Sequence, residues 1–568
     1  MTRTTPTTQA ILGYSEFFDQ VTPENPLQLV AHFDRQSLIA ELAGLNYRLR
    51  PKTELFYDVD VPGQLAQLSH FCGYNQQIFN AYSTRYKSLF TPDEKWPLLF
   101  TRQVCLFAIE EVLQSQLAAV PGFSFDEHKW KEIFSFILAM NSKMTERTLR
   151  PMDNDHSFEH LNQGLIPLNE LTVPNFVVYT AIRGYKLMDF FSHHPLFNAH
   201  FKEYIRLTYG TNYASLVYGV LSMLHSNNAT GEQDITLELV GKKLDMSFVY
   251  YVPSHFEQIF ESLSMLLASS ESERLVSVRK YPFVRISKST CILTDGWLLS
   301  DKLYAQFIND FWFDYIKNVA AEGGKRKFDI SYYRSEVGKF FEQQVQFTIQ
   351  TAFSTAKYYV VKCFSQLRYL DRGQEKELTD IYIRRNRHVF IAEVKSSGLY
   401  DNEKYALELN TFYKGDRAAF FENFGLDQLV DSLIKLTSIA PSLDAHFCTD
   451  YNNEIFPAIV VNERSLQTPL MAQVFNLRFQ ELVVEKKVLH KRLRPLSILH
   501  ISDLESIEDS IQKNPHQFWE LLRHHLRQPK FIPPFFASVN GFKAIDRSVS
   551  RARATLKTIK THAEQEKL

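Results

Sequence analysis

The 568-residue chain contains few cysteines and has no long apolar segment. Its five cysteines are scattered without a C-x-x-C pair, which argues against a disulfide framework and against a cysteine zinc site. The longest apolar run, 215–224, is about half as long as a membrane-spanning helix must be. The first ten residues, MTRTTPTTQA, lack the apolar core of a secretory signal. These absences predict a cytoplasmic protein that does not bind membranes.

Glycine and proline are also scarce, with 20 and 22 residues, too few for a collagen-like or low-complexity chain. An excess of one charge is missing as well, because 63 Lys and Arg face 64 Asp and Glu. Nucleic-acid binding over the whole surface usually needs a basic excess and is not indicated, although local basic surfaces remain open. Hydrophobic residues make up 45% and aromatic residues 14% of the chain, enough for several packed cores.

The hydrophobic pattern divides the chain into a long helical region and a shorter α/β region. Before residue 320, apolar residues recur at helical spacing, most clearly over 98–119, 129–143, 170–191 and 302–317. Two glycines and a basic cluster at 320–327 mark the best boundary. The sequence therefore predicts a multidomain protein with three parts: a mostly helical recognition or regulatory region (1–322), an α/β domain (323–535) and a basic C-terminal tail (536–568).

Residues after this boundary alternate between helix-like and strand-like patterns. Apolar residues spaced by four predict a helix over 335–353, and a similar stripe from Leu426 to Leu436 predicts another. Runs rich in β-branched and aromatic residues predict strands at 358–364, 378–383, 388–395, 455–461 and 496–501. This order is typical of an α/β domain built around a central mixed sheet.

Charged residues interrupt the most apolar of these strands. The segment 389–392 is apolar on both faces, as in a covered central strand, yet Glu393 and Lys395 follow directly. Because residues two apart share a face, these two side chains project together, and Asp380 can reach them from the hairpin partner strand. Buried charges need a partner or a metal, and two carboxylates beside a lysine would hold a hard divalent cation, preferably Mg²⁺. Such a cation can generate a hydroxide nucleophile and stabilise charge on a phosphodiester.

With this D…E-x-K arrangement, residues 330–530 resemble the restriction-endonuclease-like PD-(D/E)XK nuclease superfamily. The resemblance implies that Asp380 and Glu393 are ligands of Mg²⁺, for which Mn²⁺ would substitute. It also implies that Lys395 positions the attacking water or stabilises the transition state. Thr379 stands where the proline of the family motif would be, at a position that varies within the superfamily.

Two further residues match additional family positions. Glu342, beside the apolar stripe of the helix before the sheet, would be a third metal ligand with a catalytic role. Gln428, on the helix after the motif, would be a further catalytic residue. Both roles are implied by the resemblance alone.

The resemblance implies a Mg²⁺-dependent endonuclease that hydrolyses phosphodiester bonds of nucleic acid, with DNA as the favoured substrate. Large helical extensions often accompany such nucleases in restriction and antiphage systems, so an antiviral defence role follows by analogy. The N-terminal helical region leaves room for a protein partner or a homo-oligomer contact. The alternative from a different class is a binding or scaffold protein whose nuclease fold has lost activity.

Competing motifs are present but have poorer surroundings. Two other E-x-K triplets, beginning at Glu127 and Glu485, do not follow an Asp-bearing strand and hairpin. The segment His156-Ser-Phe-Glu159-His160 matches the H-x-x-E-H pattern of some zinc peptidases, in which two histidines bind the metal. Proline, glycine and aspartate surround it, which is typical of a loop or a short helix.

Three basic segments remain ambiguous. The tail places Lys543, Arg547, Arg551, Arg553, Lys557 and Lys560 at spacings that would form basic stripes on a helix. Such stripes can lie along a phosphate backbone, but a solvated or disordered tail has the same composition. The clusters 325–327 and 384–387 flank the proposed site in sequence and allow the same two interpretations.

Overall fold

The structure, a computed structural model, describes sixteen segments of the chain. They are 11–49, 61–89, 97–118, 130–149, 157–173, 176–228, 236–239, 242–245, 249–252, 257–265, 275–322, 329–399, 401–404, 408–528, 531–542 and 550–565. Among the helices in these segments, none combines the length and the apolar composition needed to cross a lipid bilayer.

The chain folds into two compact units, each assembled from separate stretches. The first unit, here called the sheet unit, contains residues 150–173 and 327–553. The second, here called the helical unit, contains 7–149, 174–326 and 554–568. The helical N-terminal half and the mixed sheet of the C-terminal part confirm the predicted architecture at this coarse level. The grouping of 150–173 with the sheet unit was not predicted.

Within its described residues, the sheet unit contains eight strands. They are β1 (Val360–Cys363), β2 (Arg368–Asp371), β3 (Gln374–Glu377), β4 (Ile381–Arg385), β5 (His388–Lys395), β6 (Glu454–Val461), β7 (Arg492–Leu493) and β8 (Ser497–His500). Its helices are α1 (Phe158–Asn169), α2 (Ile330–Ala352), α3 (Asp401–Lys404), α4 (Leu409–Phe412), α5 (Arg417–Asn423), α6 (Leu426–Leu443), α7 (Met471–Glu485), α8 (Ile501–Lys513), α9 (His516–His525) and α10 (Phe535–Gly541), followed by α11 (Ser550–Gln565), which begins in this unit.

Six strands form one mixed sheet in the order β1–β4–β5–β6, with β7 and β8 both pairing with β6. Strands β1, β4 and β5 are antiparallel neighbours, whereas β6 runs parallel to β5, and β7 and β8 run parallel to β6. Strand β5 has the predicted bounds and is central, because partners flank it on both sides. Strands β2 and β3 form a separate two-stranded hairpin outside this sheet.

Helices cover both faces of the mixed sheet. On one face, the Tyr382 hydroxyl donates a 2.9 Å hydrogen bond to Asp444, which directly follows α6. On the other face, the Phe390 ring lies 5.2 Å from Phe518 of α9. Residues 389–392 are consequently fully buried, which explains why this strand is apolar on both faces.

Two ion pairs fasten α1 and the residues after it to the sheet unit. Arg417 donates hydrogen bonds to both carboxylate oxygens of Glu159, with the shortest at 2.5 Å. The buried Lys404 ammonium lies 2.9 Å from Glu170 and 3.1 Å from Glu463. A buried lysine requires such partners, because an unpaired charge in the interior is costly.

The helical unit consists of many short and medium helices. They are Tyr14–Phe18, Arg35–Arg48, Val61–Phe71, Gln76–Ser88, Arg102–Gln114, Trp130–Leu149, Val177–His193, Asn198–Tyr209, Tyr213–Asn228, Glu257–Leu263, Val276–Lys280, Gly296–Asp301, Ala305–Asp310 and Lys317–Glu322, with a 3₁₀ turn at Pro26–Val30 and a π-helical segment at Phe311–Ile316. A buried ion pair stabilises the unit: Arg102 donates two 2.6 Å hydrogen bonds to Asp295, whose carboxylate also caps the helix beginning at Gly296.

This unit also contains strands that the sequence did not predict. A four-stranded sheet has the order Val249–Tyr251, Thr290–Leu293, Phe283–Ser287 and Ser264–Met265, and a separate hairpin pairs Thr236–Leu239 with Lys242–Asp245. The strands have two to five residues each, too few for a period-two pattern to stand out among the surrounding helices.

The basic segments have different surroundings in the structure. Arg551 pairs at 2.8 Å with the buried Glu508 and lies over the Phe347 ring, so this arginine stabilises the fold and is not available for phosphates. The exposed basic residues of α11 are Arg553, Lys557 and Lys560. In the 384–387 cluster, Arg384 is buried against Asp444 and Arg387 pairs with Asp450. Lys543, Arg547 and 325–327 lie outside the described residues.

Candidate active site

The β4–β5 hairpin brings the three residues of the predicted motif together. Ile381, the first residue of β4, pairs with Ala392, so Asp380 directly before it lies opposite Glu393. The Val394 N–H donates a 2.6 Å hydrogen bond to the Asp380 carboxylate. The Lys395 ammonium lies 3.6 Å from the Glu393 carboxylate. The alternation of side chains along β5 therefore places Glu393 and Lys395 on one face, as the sequence predicted.

Thr379, which directly precedes Asp380, contributes a hydroxyl beside the candidate site. The residue is buried, and its hydroxyl donates a 2.9 Å hydrogen bond to the Ala392 carbonyl oxygen of β5. This bond ties the residue before Asp380 to the strand that carries Glu393.

Gly425 holds the start of α6 directly against the motif. Its backbone is left-handed, with φ +79°, and it directly precedes the helix. A Cβ atom at this position would lie 2.4 Å from Cε of Lys395 and 3.2 Å from Cβ of Glu393. Only glycine fits, because a side chain would strain the backbone and collide with the lysine. The N-terminal end of α6, which favours negative charge, therefore abuts the carboxylates.

We expect Gly425→Ala to lower the activity of this site at least about a hundredfold by displacing the lysine, since misplacement by about 1 Å costs that much. Gly415→Ala is a matched control, because Gly415 has φ +82° but no atom within 4 Å of an added Cβ. Both variants carry the same backbone strain, so unfolding and activity assays of the pair separate strain from displacement. Equal activity losses would show that contact with Lys395 is unimportant.

Helix α2 brings Glu342 to the same end of β5. Gly338, one turn earlier on the same helix, approaches Ser396 so closely that a Cβ would lie 3.3 Å from the serine hydroxyl. Residues four apart share a helix face, so Glu342 lies on the side of α2 that passes this strand end. Its carboxylate is exposed, and desolvation together with Asp380 raises its pKa, whereas Lys395 and Lys339 lower it.

Glu377, at the end of β3, is a member of the cluster that the sequence did not identify. Desolvation raises its pKa to about 7, and the negative charges of Asp380 and Glu342 contribute. Between Glu377 and Asp380 the chain bends, and residues 378 and 379 are both buried. This bend breaks the period-two alternation, so no sequence pattern places Glu377 beside the motif.

The residues of the candidate site range from buried to exposed. Glu393 is 5% exposed, the Lys395 side chain is 20% exposed, and Asp380 is half-buried. Glu342 and Glu377 are exposed at the rim. The cluster is therefore open to solvent on one side, as access of a large substrate requires.

Negative charge exceeds positive charge in this cluster. Burial raises the pKa of Glu393 well above its usual range, and the charge of Asp380 raises it further, while Lys395 opposes both effects. The pKa of Asp380 is also raised by burial. Repulsion between the two neighbouring carboxylates therefore favours a proton on one of them. Four carboxyl groups beside one lysine create a place where a cation can replace that proton.

The donor set fits Mg²⁺ in kind. Within the described residues, no group of three or more His, Cys, Asp and Glu side chains forms a ready-made cage for a metal ion. Mg²⁺ does not require one, because it usually binds through one or two carboxylates and retains waters and phosphate oxygens as its other ligands. The protein oxygens of Asp380 and Glu393 match that preference, and the exposed Glu342 lies at the rim.

Gln428 lies in the first turn of α6, but its side chain is exposed. Among the described residues, its backbone carbonyl oxygen accepts a hydrogen bond from the Ser432 hydroxyl. Its catalytic role stays a prediction.

The competing motifs have other surroundings. Glu485 is exposed on α7 and lies 3.5 Å from Arg478, and Glu127 is outside the described residues. In the H-x-x-E-H segment, His156 is also outside them. Glu159 accepts hydrogen bonds from Arg417 and from the Tyr413 hydroxyl, so its carboxylate is engaged and is not poised to activate water.

Comparison with protein-family models, with curated proteins and with solved structures finds no match for this chain. The interpretation of the site therefore depends on its geometry and chemistry.

Proposed function

We propose that the protein is a metal-dependent nuclease that hydrolyses phosphodiester bonds of nucleic acid, with DNA as the favoured substrate. The observation that carries this proposal is the position of Asp380 opposite Glu393 at the end of a central strand, beside Lys395 and with excess negative charge. The strand order around it supports the resemblance to the restriction-endonuclease-like superfamily. A restriction or antiphage role remains an analogy.

Asp380 and Glu393 would hold Mg²⁺, with Mn²⁺ as a substitute and Glu342 as the third ligand from the rim. When bound, the cation would lower the pKa of water and neutralise charge on the phosphoryl oxygens. The Val394 N–H fixes one oxygen of Asp380, which orients that carboxylate before substrate arrives. The hydrogen bond from Thr379 to the Ala392 carbonyl oxygen fastens the residue before Asp380 to β5, directly beside Glu393.

Lys395 supplies a positive charge directly beside Glu393. Its aliphatic stem is confined by Gly425, and its ammonium group reaches the partly exposed side of the site. There it can donate a hydrogen bond to an attacking water and stabilise negative charge on the phosphate. A lysine fits this task because three rotatable donors follow the changing geometry.

A cleavage assay on matched substrates tests the proposal. Purified full-length protein is incubated with duplex DNA, single-stranded DNA, duplex RNA and single-stranded RNA of one sequence, in Mg²⁺, in Mn²⁺ or in EDTA. We expect cleavage of DNA in both metals and none in EDTA, because the hydroxide nucleophile depends on the cation.

Each other outcome has a defined meaning. Cleavage that persists in EDTA contradicts the metal-dependent mechanism. Cleavage of RNA alone contradicts the choice of substrate. Metal binding without cleavage, or neither, favours a nuclease-fold scaffold, and calorimetric titration with Mn²⁺ distinguishes these two cases.

A further inference from the structure

The hairpin of β2 and β3 projects from the rim of the candidate site. It forms a two-stranded sheet of its own, and its base is closed by a 3.0 Å hydrogen bond from Leu378 N–H to the Leu367 carbonyl oxygen. Both of these leucines are buried in the core. An isolated two-stranded hairpin is marginally stable in water, so this one depends on its anchored base and on cross-strand ion pairs. Arg368–Glu375 and Lys376–Asp371 are such pairs, at 3.1 and 2.6 Å.

The two faces of the hairpin differ in their contacts. Tyr369 packs against the core, whereas Leu370 on the opposite face is 77% exposed. Arg368 pairs with Glu377 in the ladder, and Leu370 pairs with Glu375. Opposed residues share a face, so Leu370 lies on the same face as Glu377 of the site, two residues farther out. That separation is about 7 Å, roughly two base-pair steps of a duplex.

The tip of the hairpin carries an exposed cation. Arg372 and Gly373 form the two-residue turn, both with positive φ, and nothing lies within 4 Å of a Cβ built on Gly373. The Arg372 guanidinium forms no ion pair or hydrogen bond with the described part of the chain. Arg368 and Lys376 are held in salt bridges across the hairpin, whereas Arg372 acts on the neighbouring Asp371 only through its charge.

From this arrangement we infer that the hairpin is a duplex-DNA contact element that inserts beside the cleavage site, with Leu370 against the groove and Arg372 on a backbone phosphate. The inference deepens the proposed nuclease function and rests on it. Apolar side chains that enter a groove press on sugars and base steps, and a nearby arginine or lysine neutralises the backbone. The shared face with Glu377 extends the candidate site along the hairpin toward this apolar and basic tip.

The chain provides a matched control at the other end of the sheet. The turn after α7 also carries an exposed cation with positive φ, Lys487, and an exposed leucine two residues away, Leu489, which is 66% exposed. This turn precedes β7. Strand β7 pairs in parallel with the start of β6, which in turn pairs in parallel with the start of β5. The turn therefore lies at the edge of the sheet where β5 begins. The candidate site lies where β5 ends.

The experiment compares Leu370→Ala/Arg372→Ala with Lys487→Ala/Leu489→Ala in the full-length chain. Binding is measured by fluorescence anisotropy with a labelled DNA duplex and with its single strand, over a range of salt concentrations. Both pairs are placed in a Lys395→Met background with Mg²⁺, so that the duplex is not cut. Cleavage is measured for both pairs in the otherwise unchanged chain.

For the hairpin pair, we expect about tenfold weaker duplex binding and a salt slope smaller by about one, since one phosphate contact is lost. The control pair should bind as the background does. Equal binding by the two pairs, equal losses in both, or binding of the single strand alone would overturn the inference.

Failure of the nuclease proposal would look different. If the unchanged chain cleaves no nucleic acid but duplex binding depends on Leu370 and Arg372, the hairpin inference stands and the nuclease function fails. If the chain cleaves DNA and the hairpin pair binds and cleaves as the control pair does, the inference fails and the nuclease function stands.

Discussion

Replacing Glu393 with Gln is expected to lower the cleavage rate by about a thousandfold or more, because the change removes a charged group that acts directly at the reacting centre. The amide has nearly the same shape as the carboxyl group, so the central strand should keep its packing. Asp380→Asn should have a similar effect, since the amide lacks the negative charge with which a carboxylate attracts a hard cation. Lys395→Met keeps the aliphatic stem beside Gly425 but removes the charge, and should also abolish cleavage.

The control for these variants is Glu485→Gln, which alters another E-x-K triplet in the same unit. Glu485 is exposed on α7, where it contacts Arg478, so its replacement should leave cleavage unchanged. Initial rates are measured in Mg²⁺ after circular dichroism has verified that each variant is folded. Cleavage by Glu393→Gln at the rate of the unchanged protein would show that the site lies elsewhere.

Local patterns in the sequence sufficed to predict which residues meet at the centre of the candidate site. Strand β5 has its predicted bounds because a run of four apolar residues has one stable location, the middle of a covered sheet. The alternation of side chains then places Glu393 and Lys395 on one face, and the adjacent hairpin brings Asp380 opposite. These three positions follow from separations of a few residues along neighbouring strands.

Features that depend on distant contacts were not predictable in this way. Helix α1 belongs to the sheet unit because Glu159 and Glu170 pair with Arg417 and Lys404, more than 200 residues later in the sequence. No periodicity indicates such partners. A fragment that begins near Lys325 would lose both of them, so its behaviour would report on damage to the sheet unit as well as on the missing helical unit.

The charged hairpin was missed for a different reason. Strands β2 and β3 are almost entirely exposed and consist largely of charged residues, so they lack the apolar alternation by which a half-buried strand is recognised. The turn chemistry at Arg372-Gly373 is the one local signal, since two residues with positive φ are typical of a tight hairpin. Glu377 was missed with it.

The electrostatics of the site lead to a second large effect, which concerns stability. In the metal-free protein, Glu393 and Glu377 have raised pKa values, the latter about 7, against about 4.3 for an unfolded glutamate. At pH values between the unfolded pKa and the raised folded pKa values, the folded state therefore binds more protons than the unfolded state. Stability from these groups is fully present below the unfolded pKa and is lost as pH rises through the folded pKa.

We therefore expect the melting temperature of the metal-free protein to fall between pH 5.5 and pH 8.5, and to fall less in Glu393→Gln, which cannot ionise. The melting temperature of Lys395→Met should fall more steeply than that of the unchanged protein, because the ammonium group that lowers the carboxyl pKa values is gone. Glu485→Gln should behave as the unchanged protein does. The differences between variants matter, because groups outside the site titrate equally in all of them.

Mg²⁺ should oppose this loss of stability at high pH. The cation replaces the protons of the cluster, so its binding competes with protonation. At a free metal concentration of 100 times the dissociation constant, binding stabilises the folded state by about 2.7 kcal/mol. Mg²⁺ should thus raise the melting temperature of the unchanged protein more at pH 8.5 than at pH 5.5, and raise that of Glu393→Gln little at either pH. Differential scanning fluorimetry in EDTA and in Mg²⁺ measures both effects. If Mg²⁺ stabilises Glu393→Gln as much as the unchanged protein, the carboxylates of this cluster do not hold the metal, even if the protein proves to be a nuclease.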